Sequence, residues 1–238
     1  MERNFFLRAL RWLGRHELGT LLAIGSLAAD VWLFAALADE VMEGGTRKFD
    51  TTLLLALRRP GDLQPLGPPA VLNAARDISA LGGPAVLTLL TAAVSLFLAL
   101  NGKKHMALFV CGSIGSGLLV SSLLKDSFDR PRPDLVPHEV YAASYSFPSG
   151  HSMLSALTYL TLGAILARSH ERKLLKAYFL LLATFLTGLI GVTRVYLGVH
   201  WPTDVLAGWT AGAVWALVCW LLARWLQTRH TLEPEAEP

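Results

Sequence analysis

Three short polar clusters hold the residues of this chain that could do chemistry, and each lies beside a long apolar segment. Together they supply cations, imidazoles, a carboxylate and a Ser-Gly pair at the start of an apolar segment. Groups of these types can hold a phosphate and attack its phosphorus atom. The clusters occupy residues 125–133, 148–151 and 193–204.

The second cluster reads Pro148, Ser149, Gly150 and His151, directly before an apolar segment. The first four N–H groups of a helix have no intrahelical partner, and the helix dipole adds positive potential there. Ser149 and Gly150 therefore indicate a seat for an anion, with His151 beside it as a proton donor. The alternative is that Ser149 only caps the helix.

The third cluster contains His200 and, four residues later, Asp204, with Pro202 in the expected first helical turn. A carboxylate at this spacing can accept a hydrogen bond from one imidazole nitrogen and leave the other free to attack. A His and an Asp four apart also occur by chance. Arg194 lies six residues before His200, at the expected end of the preceding apolar segment.

Lys125 and Arg132 belong to the first cluster. A guanidinium offers a planar fork to two phosphate oxygens, whereas an ammonium is a compact point charge. The alternative is a solvated charge run at the membrane surface. We favour a joint site, because four apolar segments bring cations or imidazoles to the same face of one small bundle, where ionisable groups indicate function.

The composition indicates a membrane protein. Of the 238 residues, 53% are hydrophobic and only 16% are charged, and the mean hydropathy is +0.45. The formal net charge is +3, but no basic segment interleaved with aromatic residues is present. We therefore expect a lipid bilayer and a membrane lipid as partners and no nucleic acid, and we leave the oligomeric state open.

Apolar segments of about 20 residues can cross a bilayer as helices. Six candidates are present, and small residues recur within them, as in the run from Cys111 to Gly117 and in the Gly208 and Gly212 pair. Small residues let helices approach closely in a membrane. The sequence therefore predicts an all-α fold, a six-transmembrane-helix bundle forming one domain over residues 18–227. The candidate spans are residues 18–38, 83–100, 105–124, 152–167, 174–192 and 204–225.

Basic residues predict the orientation of the bundle. With six crossings, the basic N-terminal tail, Lys103 and Lys104, the basic loop at residues 168–176 and the C-terminal arginines fall on one side. The positive-inside rule places that side, and both termini, in the cytoplasm. We therefore expect a multi-pass protein of the cell membrane, the inner membrane of a bacterium, with the polar clusters on the periplasmic or extracytoplasmic side.

Four further segments carry predictions. Residues 39–82 form the one long outer loop, and two pieces of it read as short interfacial helices, one capped by Asp50 and one from Ala70 to Leu81. They either shape a lipid entrance or simply connect two spans.

Residues 1–17 indicate a basic interfacial helix or only a topogenic tail. The first span imitates a signal peptide but is longer than usual, so we expect it to be retained. Residues 228–238 indicate a disordered tail.

By residue type and spacing, the three clusters resemble the signature motifs of the type-2 phosphatidic acid phosphatase superfamily, which includes membrane lipid phosphate phosphatases. Lys125, Arg132 and Pro133 resemble the first motif, and residues 148–151 resemble the second. Arg194, His200 and Asp204 resemble the third. One departure is Thr193, which stands where the family usually has Ser and retains a hydroxyl.

The resemblance implies a role for each matching residue. His200 is the nucleophile that forms a phosphohistidine, Asp204 orients it, and His151 protonates the leaving oxygen. No metal or cofactor is implied. Arg130 and Asp129 fall outside the motif positions and receive no role. The residues implied to hold the phosphoryl oxygens are Lys125, Arg132, Ser149, Gly150 and Arg194.

The sequence thus predicts a metal-independent lipid phosphatase acting on a phosphomonoester or pyrophosphate headgroup at the outer leaflet. By analogy with the family, undecaprenyl pyrophosphate is the first expected substrate, followed by phosphatidic acid and phosphatidylglycerol phosphate. One alternative is a lipid phosphotransferase that uses the same histidine. The other is a non-catalytic protein that binds or transports phosphorylated lipids, although binding alone needs no paired His and Asp.

Overall fold

A computed structural model describes residues 18–141 and 144–229 of the chain, and within them it contains eight helices and no strand. The predicted all-α architecture is confirmed. The predictions for residues 1–17 and for the tail from residue 230 onward lie outside the described residues. The helices are α1 Leu18–Met42, α2 Arg47–Leu55, α3 Pro69–Ala80, α4 Pro84–Leu100, α5 Lys104–Ser127, α6 Gly150–Arg168, α7 Lys173–Tyr196 and α8 Pro202–Thr228.

Five of these helices, α1, α5, α6, α7 and α8, are each long and apolar enough to cross a membrane. The predicted second span corresponds to α4, which has only 17 residues, about 25 Å of helix. It reaches the required length only together with α3, from which it is bent by 48°. The described residues therefore provide five spans, or six if α3 and α4 act as one bent span, in a multi-pass membrane protein.

Both short helices predicted in the outer loop are present as α2 and α3. Helix α3 agrees with the predicted bounds to one residue. Helix α2 begins at Arg47, so the prediction that Asp50 caps its start is wrong. Asp50 lies inside the helix because its carboxylate is used elsewhere, accepting hydrogen bonds from the backbone and hydroxyl of Thr203.

Helix α6 packs against α5, α7 and α8 and begins beside the start of α8. Gly208 and Gly212 of α8 face α6 so closely that a Cβ at Gly208 would lie 2.6 Å from the carbonyl oxygen of Ser149. Their predicted role in close helix packing is confirmed. The same prediction is wrong for Gly112 and Gly115 of α5, because a Cβ at either position would meet no atom within 4 Å. The close α6–α8 contact fixes two helix starts next to each other.

Candidate active site

One cavity of about 270 Å³ lies at the end of the bundle where α5 and α7 end and where α6 and α8 begin. It brings together residues of all three sequence clusters. Two further predicted residues, Ser149 and Asp204, are fully buried and lie behind its wall. The predicted site residues that line the cavity are Lys125, Arg132, Gly150, His151, Arg194 and His200.

His200 lies in the short link between α7 and α8, with its two ring nitrogens in different surroundings. Nδ1 lies 3.3 Å from Oδ2 of Asp204, and Nε2 lies 3.2 Å from Nη1 of Arg132 at the cavity. The acceptor carboxylate favours the tautomer protonated on Nδ1. The lone pair of Nε2 then faces the cavity, where it accepts a hydrogen bond from Nη1 of Arg132.

The surroundings of His200 keep its ring neutral. Burial lowers the pKa of His200 well below its usual value, and the charges of Arg132, Arg194 and Lys125 lower it further. A hydrogen bond involving the backbone of Ser146 acts in the opposite direction but is outweighed. A neutral imidazole has the lone pair that nucleophilic attack requires.

Two of the cavity cations are held by the loop before α6. Lys125 donates from Nζ to Oγ of Ser144 at 3.1 Å and to the carbonyl of Tyr145 at 3.0 Å. Arg132 donates from Nε to the carbonyl of Ser144 at 2.7 Å, and from Nη1 to the carbonyl of Val199 at 2.6 Å. These contacts hold Arg132 beside Nε2 of His200 and hold Lys125 at the wall of the same cavity.

Arg194 supplies the third cation, from the last turn of α7. It is 5% exposed, and its Nη1 donates to Oγ of Ser79 at 2.6 Å. Its Nε is buried and has no hydrogen-bond partner among the described residues. A buried donor without a partner is costly, so Nε is well suited to an oxygen of a bound phosphate. Ser79, on α3, is a site residue that the sequence analysis missed.

The start of α6 shows which of the two interpretations of Ser149 applies. Its Oγ accepts hydrogen bonds from the backbone N–H and the hydroxyl of Ser152, at 3.4 and 2.9 Å. The side chain is thus a helix cap and is not brought to the cavity. Gly150, the first residue of α6, does line the cavity, as does His151. At the start of α6, Gly150 and His151 therefore reach the cavity, and the side chain of Ser149 does not.

Arg130, which received no role from the sequence, lies between two buried carboxylates. Its Nη2 donates to Oδ2 of Asp50 at 2.6 Å, and its Nη1 donates to Oδ1 of Asp204. Its side chain is 13% exposed, whereas both carboxylates are fully buried. Two signals were available in the sequence. Arg130 precedes a proline just as Arg132 does, and Asp50 is the single acidic residue between Glu43 and Asp62.

Comparison with known proteins connects this geometry to a family. Residues 106–228 match the PAP2 superfamily. The chain is 39% identical to phosphatidylglycerophosphatase B of Bacillus subtilis over 103 residues, which cover 41% of this chain and 48% of that protein. It is 36% identical to undecaprenyl-diphosphatase of Sulfolobus acidocaldarius over 69 residues, 29% of each chain. The matches thus span less than half the length of these curated relatives.

The fold has a counterpart among solved structures. The crystal structure of a transmembrane PAP2 type phosphatidylglycerolphosphate phosphatase from Bacillus subtilis superimposes with a TM-score of 0.72 at 25% sequence identity. The superposition covers 84% of this chain and 97% of that one. The likeness therefore extends over the helical bundle as a whole and beyond the three motifs.

Proposed function

This chain belongs to the PAP2 superfamily, and we propose that it is a membrane phosphatase that removes phosphate from the phosphomonoester or pyrophosphate headgroup of a lipid. The observation that carries the proposal is the setting of His200. Its Nε2 faces a cavity lined by Lys125, Arg132 and Arg194, while Nδ1 lies against a buried carboxylate. Simple anion binding would need the cations but not this second contact.

In the first step, Nε2 of His200 attacks the phosphorus atom, and the bond from phosphorus to the leaving oxygen breaks. The three cations and the N–H groups at the start of α6 hold the other phosphoryl oxygens and spread their negative charge. His151, at the cavity wall, donates a proton to the leaving oxygen. The product of this step is a phosphohistidine, with Nδ1–H still bonded to Asp204.

In the second step, a water molecule attacks the phosphorus atom from the position that the leaving group has vacated. His151, now deprotonated, accepts a proton from this water. The bond between phosphorus and Nε2 of His200 breaks, and its electron pair returns to the ring. Inorganic phosphate is released, and both histidines regain their starting protonation states.

The shape of the cavity favours a lipid substrate. On α5 the cavity lining runs from Lys125 back to Leu118, a distance of two turns or about 10 Å along the helix. Apolar residues from α4 and α6, Pro84 and Leu154, complete this deeper part. A phosphorylated headgroup would bind beside the cations while the attached chain extends toward the bilayer.

Two substrate classes remain our proposals: an isoprenoid pyrophosphate such as undecaprenyl pyrophosphate, and a phospholipid monophosphate such as phosphatidic acid or phosphatidylglycerol phosphate. The names of the relatives from Sulfolobus acidocaldarius and Bacillus subtilis support one class each. Phosphate release by the purified protein, measured over a panel of these lipids in mixed micelles, separates the classes by kcat/KM.

The nucleophile is tested by replacing His200 with Gln, which keeps the size of the side chain and removes the nucleophile. We expect kcat for phosphate release to fall by about 10⁴-fold or more, because loss of a covalent nucleophile leaves only binding and electrostatic effects. Labelling with a ³²P-headgroup lipid followed by alkaline quench should give a phosphoprotein in the wild type only. Unchanged turnover in this variant would refute the mechanism, and lipid binding without turnover in the wild type would indicate a binding protein.

We also propose that the cavity faces the extracytoplasmic side. It lies at the bundle end opposite to the α4–α5 and α6–α7 loops. Lys103, Lys104, Arg168 and Arg172 lie in these loops or at the helix ends beside them. An impermeant thiol reagent applied to intact cells should label a Pro137→Cys variant but not a Ser169→Cys variant, in a background lacking Cys111 and Cys219. Both positions are exposed and outside the helices. The reverse labelling pattern would invert the proposed orientation.

A further inference from the structure

A closed ring of polar contacts lies behind His200, on the side away from the cavity. Asp50 of α2 accepts hydrogen bonds from the backbone N–H of Thr203 at 2.9 Å and from its hydroxyl at 2.7 Å. Arg130 bonds Asp50, Asp204 and, at 2.9 Å, Oγ1 of Thr203. Its guanidinium also lies over the ring of Trp201, 5.7 Å from the centroid.

We propose that Asp50 and Arg130 are positioning residues for His200, and that they act by fixing both the orientation and the net charge of Asp204. The series of contacts runs from Asp50 through Arg130 and Asp204 to the imidazole. This inference rests on the proposed nucleophilic role of His200. It assigns a function to α2, which belongs to the outer loop and contributes no residue to the catalytic cavity.

The first argument concerns the orientation of the carboxylate. The terminal torsion of an aspartate is broad and is not fixed by the side chain itself. Oδ2 of Asp204 is placed by the backbone N–H of Trp201 at 2.9 Å and faces Nδ1 of His200. Oδ1 is held by Arg130. With both oxygens occupied, the carboxylate cannot rotate away from the imidazole when the ring becomes phosphorylated.

The second argument concerns charge. Asp204 and Arg130 alone would form a neutral pair, which would offer little stabilisation to a cationic ring. Asp50 offsets the charge of Arg130, so the three groups in their ionised forms carry a net charge of −1. That excess opposes the cations that face His200 from the cavity, which are Lys125, Arg132 and Arg194. The imidazole of His151 lines the same cavity. A phosphorylated imidazole protonated on Nδ1 is stabilised by it.

The rival explanation is that this ion pair only ties α2 to the start of α8. A buried ion pair contributes little net stability but is strongly destabilising when one partner is removed. A purely structural tie therefore predicts lower thermal stability with unchanged kcat per folded molecule. It also predicts no change in the pH dependence of activity, because it assigns no electrostatic effect on the imidazole.

The test compares Asp50→Asn, Arg130→Lys and Arg130→Gln in the full chain, in lipid nanodiscs, with dioctanoyl phosphatidic acid as the probe. We expect kcat to fall by about 10- to 100-fold, while KM changes by less than about threefold, because neither residue lines the cavity. Arg130→Lys keeps the charge but loses the fork, and should retain more activity than Arg130→Gln.

The pH profile separates an electrostatic from a structural role. Loss of the negative charge at Asp50 makes protonation of His200 harder, so the acid limb of kcat/KM moves to lower pH. Loss of the positive charge at Arg130 makes protonation easier, so the limb moves to higher pH. Shifts of opposite sign support the proposal. Shifts of the same sign, no shift, or unchanged kcat would overturn it.

A matched control lies in the same outer loop. Arg59 and Asp62 form an ion pair at 3.4 Å with side chains that are 52% and 56% exposed. Arg59→Gln and Asp62→Asn should leave kcat, KM and the pH profile unchanged, because exposed pairs contribute little. A measurement without substrate keeps this inference separate from the proposed function. In ¹⁵N-histidine spectra, the signals of His200 are assigned through their loss in His200→Gln. The Nδ1–H tautomer of His200 should be less populated in Asp50→Asn and Arg130→Lys than in the wild type. An unchanged tautomer population would also overturn the proposal.

Discussion

The two sides of the His200 ring differ in how their polar groups are satisfied. On the cavity side, Lys125, Arg132 and Arg194 surround an open space, and Nε of Arg194 lacks a partner among the described residues. On the other side, Asp204 is fully buried with both oxygens bonded. The open side offers positive charge and an unsatisfied donor to an anion. On the closed side both oxygens of Asp204 already have partners, which holds this one side chain still.

This difference separates two kinds of effect. Under the proposed function, a change on the open side alters contacts with the phosphoryl oxygens and should affect both binding and the transition state. A change on the closed side alters the orientation and charge of the proposed nucleophile and should affect mainly kcat. The ratio of the effects on kcat and KM therefore reports on which side of the ring a residue acts.

The largest effect after removal of His200 itself is expected for Asp204→Asn, on the closed side. An amide can present its NH₂ group to Nδ1, which favours the wrong tautomer, and Arg130 loses a charged partner. We expect kcat for phosphate release to fall by about 10³- to 10⁴-fold, as when the aspartate of a catalytic triad is amidated. KM should change by less than about threefold. A large increase in KM with near-normal kcat would show that the two sides do not differ in this way.

A smaller effect, of another type, is expected for Arg194→Lys on the open side. An ammonium keeps the charge but cannot bond Ser79 and a phosphoryl oxygen in the same planar arrangement. We expect kcat/KM to fall by about 10- to 100-fold, with changes in both kcat and KM. Inhibition by inorganic phosphate should weaken in parallel, which steady-state kinetics can measure.

Ser79→Ala provides a related variant for this prediction. It leaves the guanidinium in place but removes the hydroxyl that orients Nη1. Its effect should have the same direction as that of Arg194→Lys and be smaller. An effect on kcat alone in both variants would place Arg194 with the closed side instead.

The sequence predicted the open side far better than the closed side. Lys125, Arg132, His151, Arg194 and His200 were all named from residue type and spacing, because each lies at the end of a recognisable apolar helix. Helix existence was likewise predictable, since spans of about 20 apolar residues have few alternatives. The shortness of α4 and its bend from α3 depended on packing and were not foreseen.

The residues that were missed share a physical reason. Asp50 lies 80 residues from Arg130, and Ser79 lies 115 residues from Arg194. Contacts across such separations depend on how the outer loop folds back over the bundle, which local patterns do not record. Asp50 was assigned to a helix cap because Asp often occurs there. Its burial between α2 and α8 is a tertiary effect that overrides this local preference.

The smallest expected effect concerns the contact that joins the two sides. The backbone N–H of Ser149 donates to the carbonyl of Asp204 at 2.9 Å, which links the start of α6 to the start of α8. A Cβ at Gly208 would lie 2.6 Å from the carbonyl oxygen of Ser149 and 2.8 Å from Cβ of Ser152. Neither of these atoms can move without moving the backbone of α6.

We therefore expect Gly208→Ala to push the two helix starts apart, at a cost of about 1–3 kcal/mol in the free energy of unfolding. Gly112→Ala is the matched control, because a Cβ there meets no atom within 4 Å, and alanine should slightly stabilise the helix. Thermal unfolding should thus show a lower midpoint for the first variant only. Because the start of α6 carries the proposed anion seat and α8 carries Asp204, the same variant should lower kcat and raise KM together. Equal midpoints in both variants would mean that the two sides of His200 are not held together through this glycine.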